Sequence, residues 1–221
     1  MKIPFHASLL LCGSALVALA VEPSAPLFDN DQVRVLRALE KTHVKGKAHE
    51  HKMNRVMIYL QSGRQRFEYQ DGRKPQEFHW EAGQVAWSPS NGMHTPELIG
   101  DAPFNIIEVE LKNRGVGRPI VSSADPVKID LKHYKIEFEN DQVRVVRVKV
   151  GGHESTPMHE HSLNRVNVFL TDQTVRVTGS DGKVETIQHK FGDTAWGGPT
   201  THKEENVDAK PFEVIMVEIK G

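Results

Sequence analysis

The apolar positions of this chain fall into short runs that often alternate with polar residues, the period expected of β-strands. Runs such as RVMIYL (55–60), QVAWS (84–88) and VRVVRVKV (143–150) are rich in Val, Ile and aromatic residues. Gly, Pro, Asp and Asn separate these runs at intervals of roughly ten residues. The pattern predicts an all-β protein in which short antiparallel strands close or stack to bury one face, as in a jelly-roll or small barrel.

The pattern occurs twice, at an offset of about 110 residues. The segment FDNDQVRV, which begins at Phe28, corresponds to FENDQVRV, which begins at Phe138. The closing segment PFNIIEVELK (103–112) returns as PFEVIMVEIK (211–220). A period this long indicates a duplicated domain rather than a solenoid repeat. The predicted fold is therefore two tandem jelly-roll barrels.

The first twenty residues have the layout of a secretory signal peptide. Lys2 supplies a positive start, an apolar run follows, and Ala18-Leu19-Ala20 matches a small-x-small cleavage site. The apolar run is too short to span a membrane comfortably. We therefore expect export to the periplasm or to the outside of the cell. The predicted order is a signal peptide (1–20), a first domain (21–112), a linker (113–134) and a second domain (135–221).

The composition excludes several classes of function. The formal net charge is −1 at pH 7, so electrostatic attraction to nucleic acid or to an anionic membrane is not expected. The single cysteine, Cys12, lies in the predicted signal peptide. Its removal leaves no disulfide, thiolate nucleophile or cysteine-based zinc site. The chain has twelve histidines, and histidine is the usual nitrogen ligand of transition metals.

Two histidine pairs stand at matched positions of the repeat. HEHKMNR (49–55) corresponds to HEHSLNR (159–165). Because residues i and i+2 of a strand point to the same face, the imidazoles of each pair project together. A third histidine follows each pair, in a segment rich in Gly and Pro that we expect to form a loop. The pattern predicts one three-histidine metal site in each domain: His49, His51 and His94, then His159, His161 and His202.

These spacings resemble the two sequence motifs of the cupin superfamily, and the chain as a whole resembles a bicupin. Each HxH pair matches motif one. Gly83, Pro89, Gly92 and His94 match motif two with a one-residue shift, and the second copy (192–202) matches it more loosely. The resemblance covers almost all of residues 28–220. It implies two jelly-roll barrels that bind a divalent transition metal such as Fe, Mn, Zn, Ni or Cu.

The chain departs from the cupin pattern at the glutamate ligand of motif one, where it has Arg55 and Arg165. A permanent cation beside a divalent ion is costly unless an anion lies between them. The arginine either turns aside from a three-histidine centre, holds the carboxylate of a substrate, or lines a metal-free anion pocket. Arg55 and Arg165 are the predicted substrate-binding residues, and no catalytic residue is assigned. Glu97 and Glu205, three residues after the third histidines, are expected to point into solvent.

Functions of different classes fit this pattern. The leading hypothesis is an exported bicupin that performs metal-dependent, dioxygenase-type chemistry on a small carboxylic acid. The alternatives are a non-catalytic module that binds metal or a small ligand, and an oxalate decarboxylase-like enzyme, which the missing glutamate disfavours. The expected partner is a small anionic molecule. No nucleic acid and, after signal cleavage, no membrane is expected, and a homodimer is allowed.

Overall fold

A computed structural model describes residues 26–221, and these residues form an almost entirely β structure. The predicted signal peptide (1–20) lies outside the described residues. The described part contains one helix, α1 (Pro126–Ile129), which is a single turn. No helix of residues 26–221 has the length and apolar character needed to cross a membrane. The all-β prediction is confirmed.

The strands fall into two sets of nine. The first half contains β1 (Phe28–Asp29), β2 (Val33–Glu40), β3 (His49–His51), β4 (Arg55–Tyr59), β5 (Gly63–Tyr69), β6 (Gln76–Trp80), β7 (Val85–Ser88), β8 (Asn91–Leu98) and β9 (Phe104–Leu111). The second half contains β10 (Tyr134–Glu139), β11 (Val143–Val150), β12 (His159–His161), β13 (Arg165–Phe169), β14 (Gln173–Gly179), β15 (Val184–His189), β16 (Thr194–Gly197), β17 (Thr200–Asn206) and β18 (Phe212–Ile219).

Each half folds into two antiparallel sheets with the same strand order. A five-stranded sheet has the order β1-β2-β9-β4-β7 in the first half and β10-β11-β18-β13-β16 in the second. A four-stranded sheet has the order β3-β8-β5-β6 in the first half and β12-β17-β14-β15 in the second. Two sheets that enclose a core in this way form a jelly roll. The predicted pair of tandem jelly-roll barrels is confirmed.

The two halves share a hydrophobic core. One face of each five-stranded sheet contributes buried Val, Ile and Leu side chains to a single cluster, including Val56 and Ile58 from β4 and Val166 and Val168 from β13. This explains why Val and Ile recur at every second position of these strands, since that face packs against the other half, whereas the opposite face, which carries Arg55 and Arg165, points into the barrel.

Reciprocal hydrogen bonds surround this shared core. The Asn54 amide donates to Gln142 Oε1 at 2.5 Å, and the Asn164 amide donates to Gln32 Oε1 at 2.8 Å. The asparagines that follow the two histidine pairs therefore join the halves. Asn54 and Asn164 precede the first residues of β4 and β13, so the same contacts fix where those strands begin.

The shared core predicts that the halves unfold together. Ile215 is fully buried in it, and Ile215→Ala should lower the free energy of unfolding by about 2–5 kcal/mol through lost burial and a cavity. Urea unfolding followed by circular dichroism should show one transition at a lower midpoint. Ile136→Ala, at a position 45% exposed on β10, is the control and should cost only about 0.5 kcal/mol. Two separate transitions would contradict the shared core.

Candidate metal centres

The six predicted histidines lie in two groups, one in each barrel. His49 and His94 are directly opposite each other on β3 and β8, and His159 and His202 are opposite each other on β12 and β17. The expectation that the third histidine lies in a loop is wrong, because His94 and His202 lie within strands. Only residues 89–90 and 198–199 lie between the strands, so the segments rich in Gly and Pro form a tight turn rather than a longer loop.

The ring nitrogens of each group converge. The ligand atoms of each set of three histidines lie within 4.8 Å of one another. The Nε2 atoms of His49 and His51 are 3.0 Å apart, and those of His159 and His161 are 3.1 Å apart. Three imidazole nitrogens at these separations can hold one transition-metal ion. We call these groups the first triad (His49, His51, His94) and the second triad (His159, His161, His202).

Backbone carbonyls orient the first histidine of each pair. His49 Nδ1 lies 2.9 Å from the Lys47 carbonyl oxygen, and His159 Nδ1 lies 2.9 Å from that of Pro157. A carbonyl only accepts, so the proton is on Nδ1 and the Nε2 lone pair points at the centre of the triad. This arrangement, in which the ring donates outward and ligates inward, is typical of metal-binding histidines.

The second triad fits a metal ion on independent grounds. His202 Nε2 is buried and has no hydrogen-bond partner among residues 26–221, and the same holds for His161 Nδ1. A buried polar atom without a partner costs free energy. His202 is one of the three histidines whose ligand atoms converge, so a cation bound through Nε2 would satisfy this atom. His161 Nδ1 lies 3.6 Å from Glu218 Oε1, a carboxylate on the outer side of the ring.

Burial favours the neutral form of His51 and His94 in the first triad and of all three histidines in the second, which is the protonation state that binds metal. Burial and, to a smaller extent, the nearby Arg165 cation together lower the pKa of His202 to about 4. Burial and, to a smaller extent, the nearby Arg55 cation and the neighbouring histidines lower the pKa of His51 to about 3. Burial, followed by the Arg165 cation, also depresses the pKa of His161 far below its usual range. At neutral pH these imidazoles therefore present lone pairs.

Arg55 is buried beside the first triad and is neutralised there. Its Nη1 donates to Glu108 Oε2 at 2.7 Å and lies 2.7 Å from His51 Nε2. Its Nη2 donates to Ser88 Oγ at 3.0 Å. Glu108 comes from β9 and is itself buried. The carboxylate predicted to offset the arginine is therefore supplied by the protein itself in this half.

Arg165 is equally buried but has no such partner. Its Nη1 donates to the Gly198 carbonyl oxygen at 2.6 Å, and among residues 26–221 it forms no ion pair within 4.0 Å. The sheet register shows why. In the first half Glu108 lies opposite Met57, and in the second half Met216 lies opposite Asn167. Met216 therefore takes the position of Glu108, and a thioether replaces the carboxylate.

The hydroxyl that binds the first arginine is also replaced in the second half. Gly197 pairs with Arg165 where Ser88 pairs with Arg55. Burial lowers the pKa of Arg165, the direction expected of a cation withdrawn from water without a paired anion.

Arg165 lines a cavity of about 300 Å³ in the second barrel together with His161 and His202 of the second triad. Most of the cavity wall is apolar. The register explains the space. His189 and Ile187 occupy the positions of Trp80 and Phe78, and Val177 occupies that of Phe67.

Aromatic rings fill the corresponding interior of the first barrel. Tyr59 stacks on Trp80 with ring centroids 4.2 Å apart, and on Phe104 at 5.6 Å. Phe67 lies 5.2 Å from the His94 ring. Smaller side chains at the matched positions therefore account for the cavity of the second half.

The segment before β10 covers the second triad. Asp125 accepts two hydrogen bonds from Arg144, at 2.7 and 2.8 Å, and Arg144 also donates to Glu218 at 2.5 Å. The Glu160 amide donates to the Ala124 carbonyl oxygen at 2.9 Å. These bonds hold α1 and its flanks against β12. All three histidines of the second triad are buried, whereas His49 is exposed and His51 is half-buried.

Three residues of the sites were not identified from the sequence. Glu108 lies on a strand read only as core. Tyr134 OH lies 3.2 Å from His159 Nε2 and from Glu204 Oε2. Glu204 could have been found, because residue i+2 shares the strand face of His202. Glu205, which the sequence singled out, pairs with Arg176 on the exposed side at 2.7 Å.

The metal-free protein should lose stability in acid through His202. Its folded pKa of about 4 lies below the ordinary 6.5, so between these values the unfolded chain binds a proton that the folded chain excludes, and stability falls as the pH falls. From pH 7 to pH 4.5 the free energy of unfolding should drop by roughly 1–3 kcal/mol more in the wild type than in His202→Gln.

Urea unfolding in chelator at the two pH values measures this difference. His79→Gln, at an exposed histidine on β6, is the matched control and should follow the wild type. An identical pH dependence in the wild type and in His202→Gln would contradict the assignment.

The chain matches no protein-family model and no curated protein. Its structure is similar to AerE from Microcystis aeruginosa, with a TM-score of 0.62 and 15% identity over 88% of this chain and 96% of that one. It is also similar to a mutant of Bacillus subtilis oxalate decarboxylase, with a TM-score of 0.58 and 14% identity over 85% of this chain and 68% of that one.

A cupin 2 conserved barrel domain protein from Leptotrichia buccalis has a TM-score of 0.54 and 11% identity, over 89% of this chain and 88% of that one. At these identities the likeness concerns the fold alone. With two jelly-roll barrels and a histidine triad in each, the chain is a bicupin in fold, and both of its triads can hold a metal ion.

Proposed function

We propose that the second half binds a divalent metal ion together with a small carboxylic acid, and that Arg165 anchors the carboxylate. The observation that carries this proposal is the state of Arg165. It is buried on the wall of a cavity, beside a triad of converging histidines, without an ion pair among residues 26–221. An anionic ligand would supply the direct ion pair that Arg165 lacks among residues 26–221.

The chemistry of the guanidinium favours a carboxylate as that ligand. Its planar fork of N–H donors matches two carboxylate oxygens, and an ion pair formed away from water is stronger than one at the surface. The Gly198 carbonyl holds one Nη1 hydrogen bond and so fixes the fork in place. A carboxylate on Arg165 also lies between that cation and the metal, which offsets the repulsion between them.

The second triad would hold the metal through the Nε2 atoms of His159 and His202 and a ring nitrogen of His161. A divalent transition metal bound there supplies Lewis acidity and, if it is iron or manganese, redox chemistry with dioxygen. We therefore propose an oxidoreductase of the dioxygenase type, acting on a small acid. Arg165 orients the acid, and the apolar wall excludes water from its far end. From the predicted signal peptide we further propose that this reaction takes place outside the cytoplasm.

The first half favours a different role, that of a metal-binding module without a substrate. Glu108 already forms an ion pair with Arg55. Stacked aromatic rings fill the part of the first barrel that corresponds to the cavity of the second. An incoming carboxylate would have to displace a buried ion pair. We propose that the first triad holds a metal that only stabilises the fold. The reaction then takes place in the second half alone.

Metal content is the first test. Purified wild type should contain a divalent transition metal, measured by inductively coupled plasma mass spectrometry, and chelator should lower its melting temperature because the metal binds only the folded state. His159→Ala should lose the metal of the second half, and His49→Ala that of the first. The exposed His79→Ala should retain both. A protein that carries no metal and is indifferent to chelator would overturn the proposal.

The duplication supplies a sharper test of Arg165. Met216→Glu places a carboxylate where Glu108 stands in the first half, so that Arg165 gains an internal partner and a ligand must displace it. Affinity for 4-methylpentanoate, measured by calorimetry on the Mn²⁺-loaded protein under nitrogen, should fall by about 10-fold or more.

Met216→Gln, of similar size but neutral, controls for the change of shape and should bind nearly as the wild type does. Metal content should be the same in both variants. Undiminished binding in Met216→Glu would show that the carboxylate does not sit on Arg165.

A further inference from the structure

The cavity of the second half contains an unpaired anion as well as an unpaired cation. Glu204 lies on the cavity wall, and its carboxylate accepts a hydrogen bond from the neutral Tyr134 hydroxyl at 3.2 Å. Among residues 26–221, no Lys, Arg or His nitrogen lies within 4.0 Å of that carboxylate. The Glu204 carboxylate and the Arg165 guanidinium are thus on one cavity without forming an ion pair with each other.

The backbone of Glu204 is held firmly in the barrel wall. Its amide donates to Thr156 Oγ1 at 2.9 Å, and its carbonyl accepts from the Thr156 amide at 2.9 Å. Two residues earlier on the same strand lies His202 of the second triad, so both side chains face the interior. These bonds fix the backbone from which the Glu204 side chain projects into the cavity.

Glu204 and its contact with Tyr134 have no counterpart in the first half. Pro96 stands opposite Phe67 where Glu204 stands opposite Val177. The half with the cavity is therefore also the half that adds a carboxylate to it. Since a charge facing an apolar cavity is costly unless it is paired, both Arg165 and Glu204 gain from a ligand that carries the opposite charges.

We infer that the second cavity takes an amino acid-like zwitterion, with its carboxylate on Arg165, its ammonium group on Glu204 and an apolar side chain against the wall around Val177 and Ile187. This inference rests on the proposed function, because it uses the same anchor for the carboxylate. It narrows the ligand from small acids in general to those that also carry an amino group. The Tyr134 hydroxyl, which is buried, holds the Glu204 carboxylate in position for that group.

Three probes of matched shape test it: leucine, 4-methylpentanoate, which lacks the amino group, and 3-methylbutylamine, which lacks the carboxylate. Calorimetry on the Mn²⁺-loaded protein under nitrogen should show leucine binding about 10-fold or more tightly than either of the others, the effect of one added charged hydrogen bond. In Glu204→Gln, the affinity for leucine should fall to that for 4-methylpentanoate. The affinity for 4-methylpentanoate itself should change little.

Glu205→Gln is the matched control. Its side chain pairs with Arg176 on the outer face, so the preference for leucine should persist. Metal content and melting temperature, measured for each variant, confirm that the variants are folded and loaded.

The outcomes separate this inference from the proposed function. Suppose that Met216→Glu weakens the binding of 4-methylpentanoate, but leucine binds no more tightly than 4-methylpentanoate to the wild type. The inference of a zwitterionic ligand is then wrong, and the proposal that Arg165 anchors a carboxylate is supported. A leucine preference that survives Glu204→Gln places the amino group on the metal and overturns the inference. Loss of metal from Glu204→Gln would also overturn the inference, because Glu204 would then be needed for metal binding and not for binding the amino group. If none of the probes binds, the proposed function fails first.

Discussion

The structure depends on how each half balances one arginine buried beside three histidines. A guanidinium withdrawn from water requires an anion nearby, and the histidines cannot supply it because burial keeps them neutral. In the first half Glu108 meets Arg55 at 2.7 Å, and aromatic rings fill the space around the pair. In the second half Met216 removes that carboxylate and smaller side chains leave a cavity, so the charge of Arg165 is left for a ligand to balance.

The two faces of the five-stranded sheets explain how the halves can differ so much and still fold alike. The face shared between the halves is filled by Val, Ile and Leu in both, and it fixes the position of each barrel. The opposite face lines the barrel interior, where Asn167 replaces Met57 and Met216 replaces Glu108. Substitutions on the inner face leave the shared core intact. The second barrel can therefore contain a cavity in place of packed side chains and keep the same arrangement of strands.

Much of this was predictable from the sequence, and each failure has an identifiable cause. Alternating apolar residues predicted the strands, and the i, i+2 spacing placed His49 with His51 and His159 with His161. The assignment of His94 and His202 to loops was wrong, because Gly and Pro mark a turn but not its length. Glu108 was missed because its importance comes from cross-strand register, which joins it to Arg55 at a separation of 53 positions and has no local signature. Glu204 does have a local signature, the i, i+2 spacing from His202 on one strand, and that spacing was applied only to histidine pairs. The arginines were flagged, but their different partners are visible only in three dimensions.

Burial of the second triad bears on what the site can do. The Asp125–Arg144–Glu218 network holds the preceding segment over β12, and this cover removes water from the histidines and from one end of the cavity. Electrostatic interactions strengthen as water leaves, so a carboxylate on Arg165 and a cationic group on Glu204 gain more here than at an open site. Among residues 26–221, no segment covers the first triad in this way, and His49 is exposed. The half that carries these two charges is thus the half in which pairing them has the larger effect. The apolar wall around Val177 and Ile187 favours a ligand that adds an apolar side chain to the two charged groups.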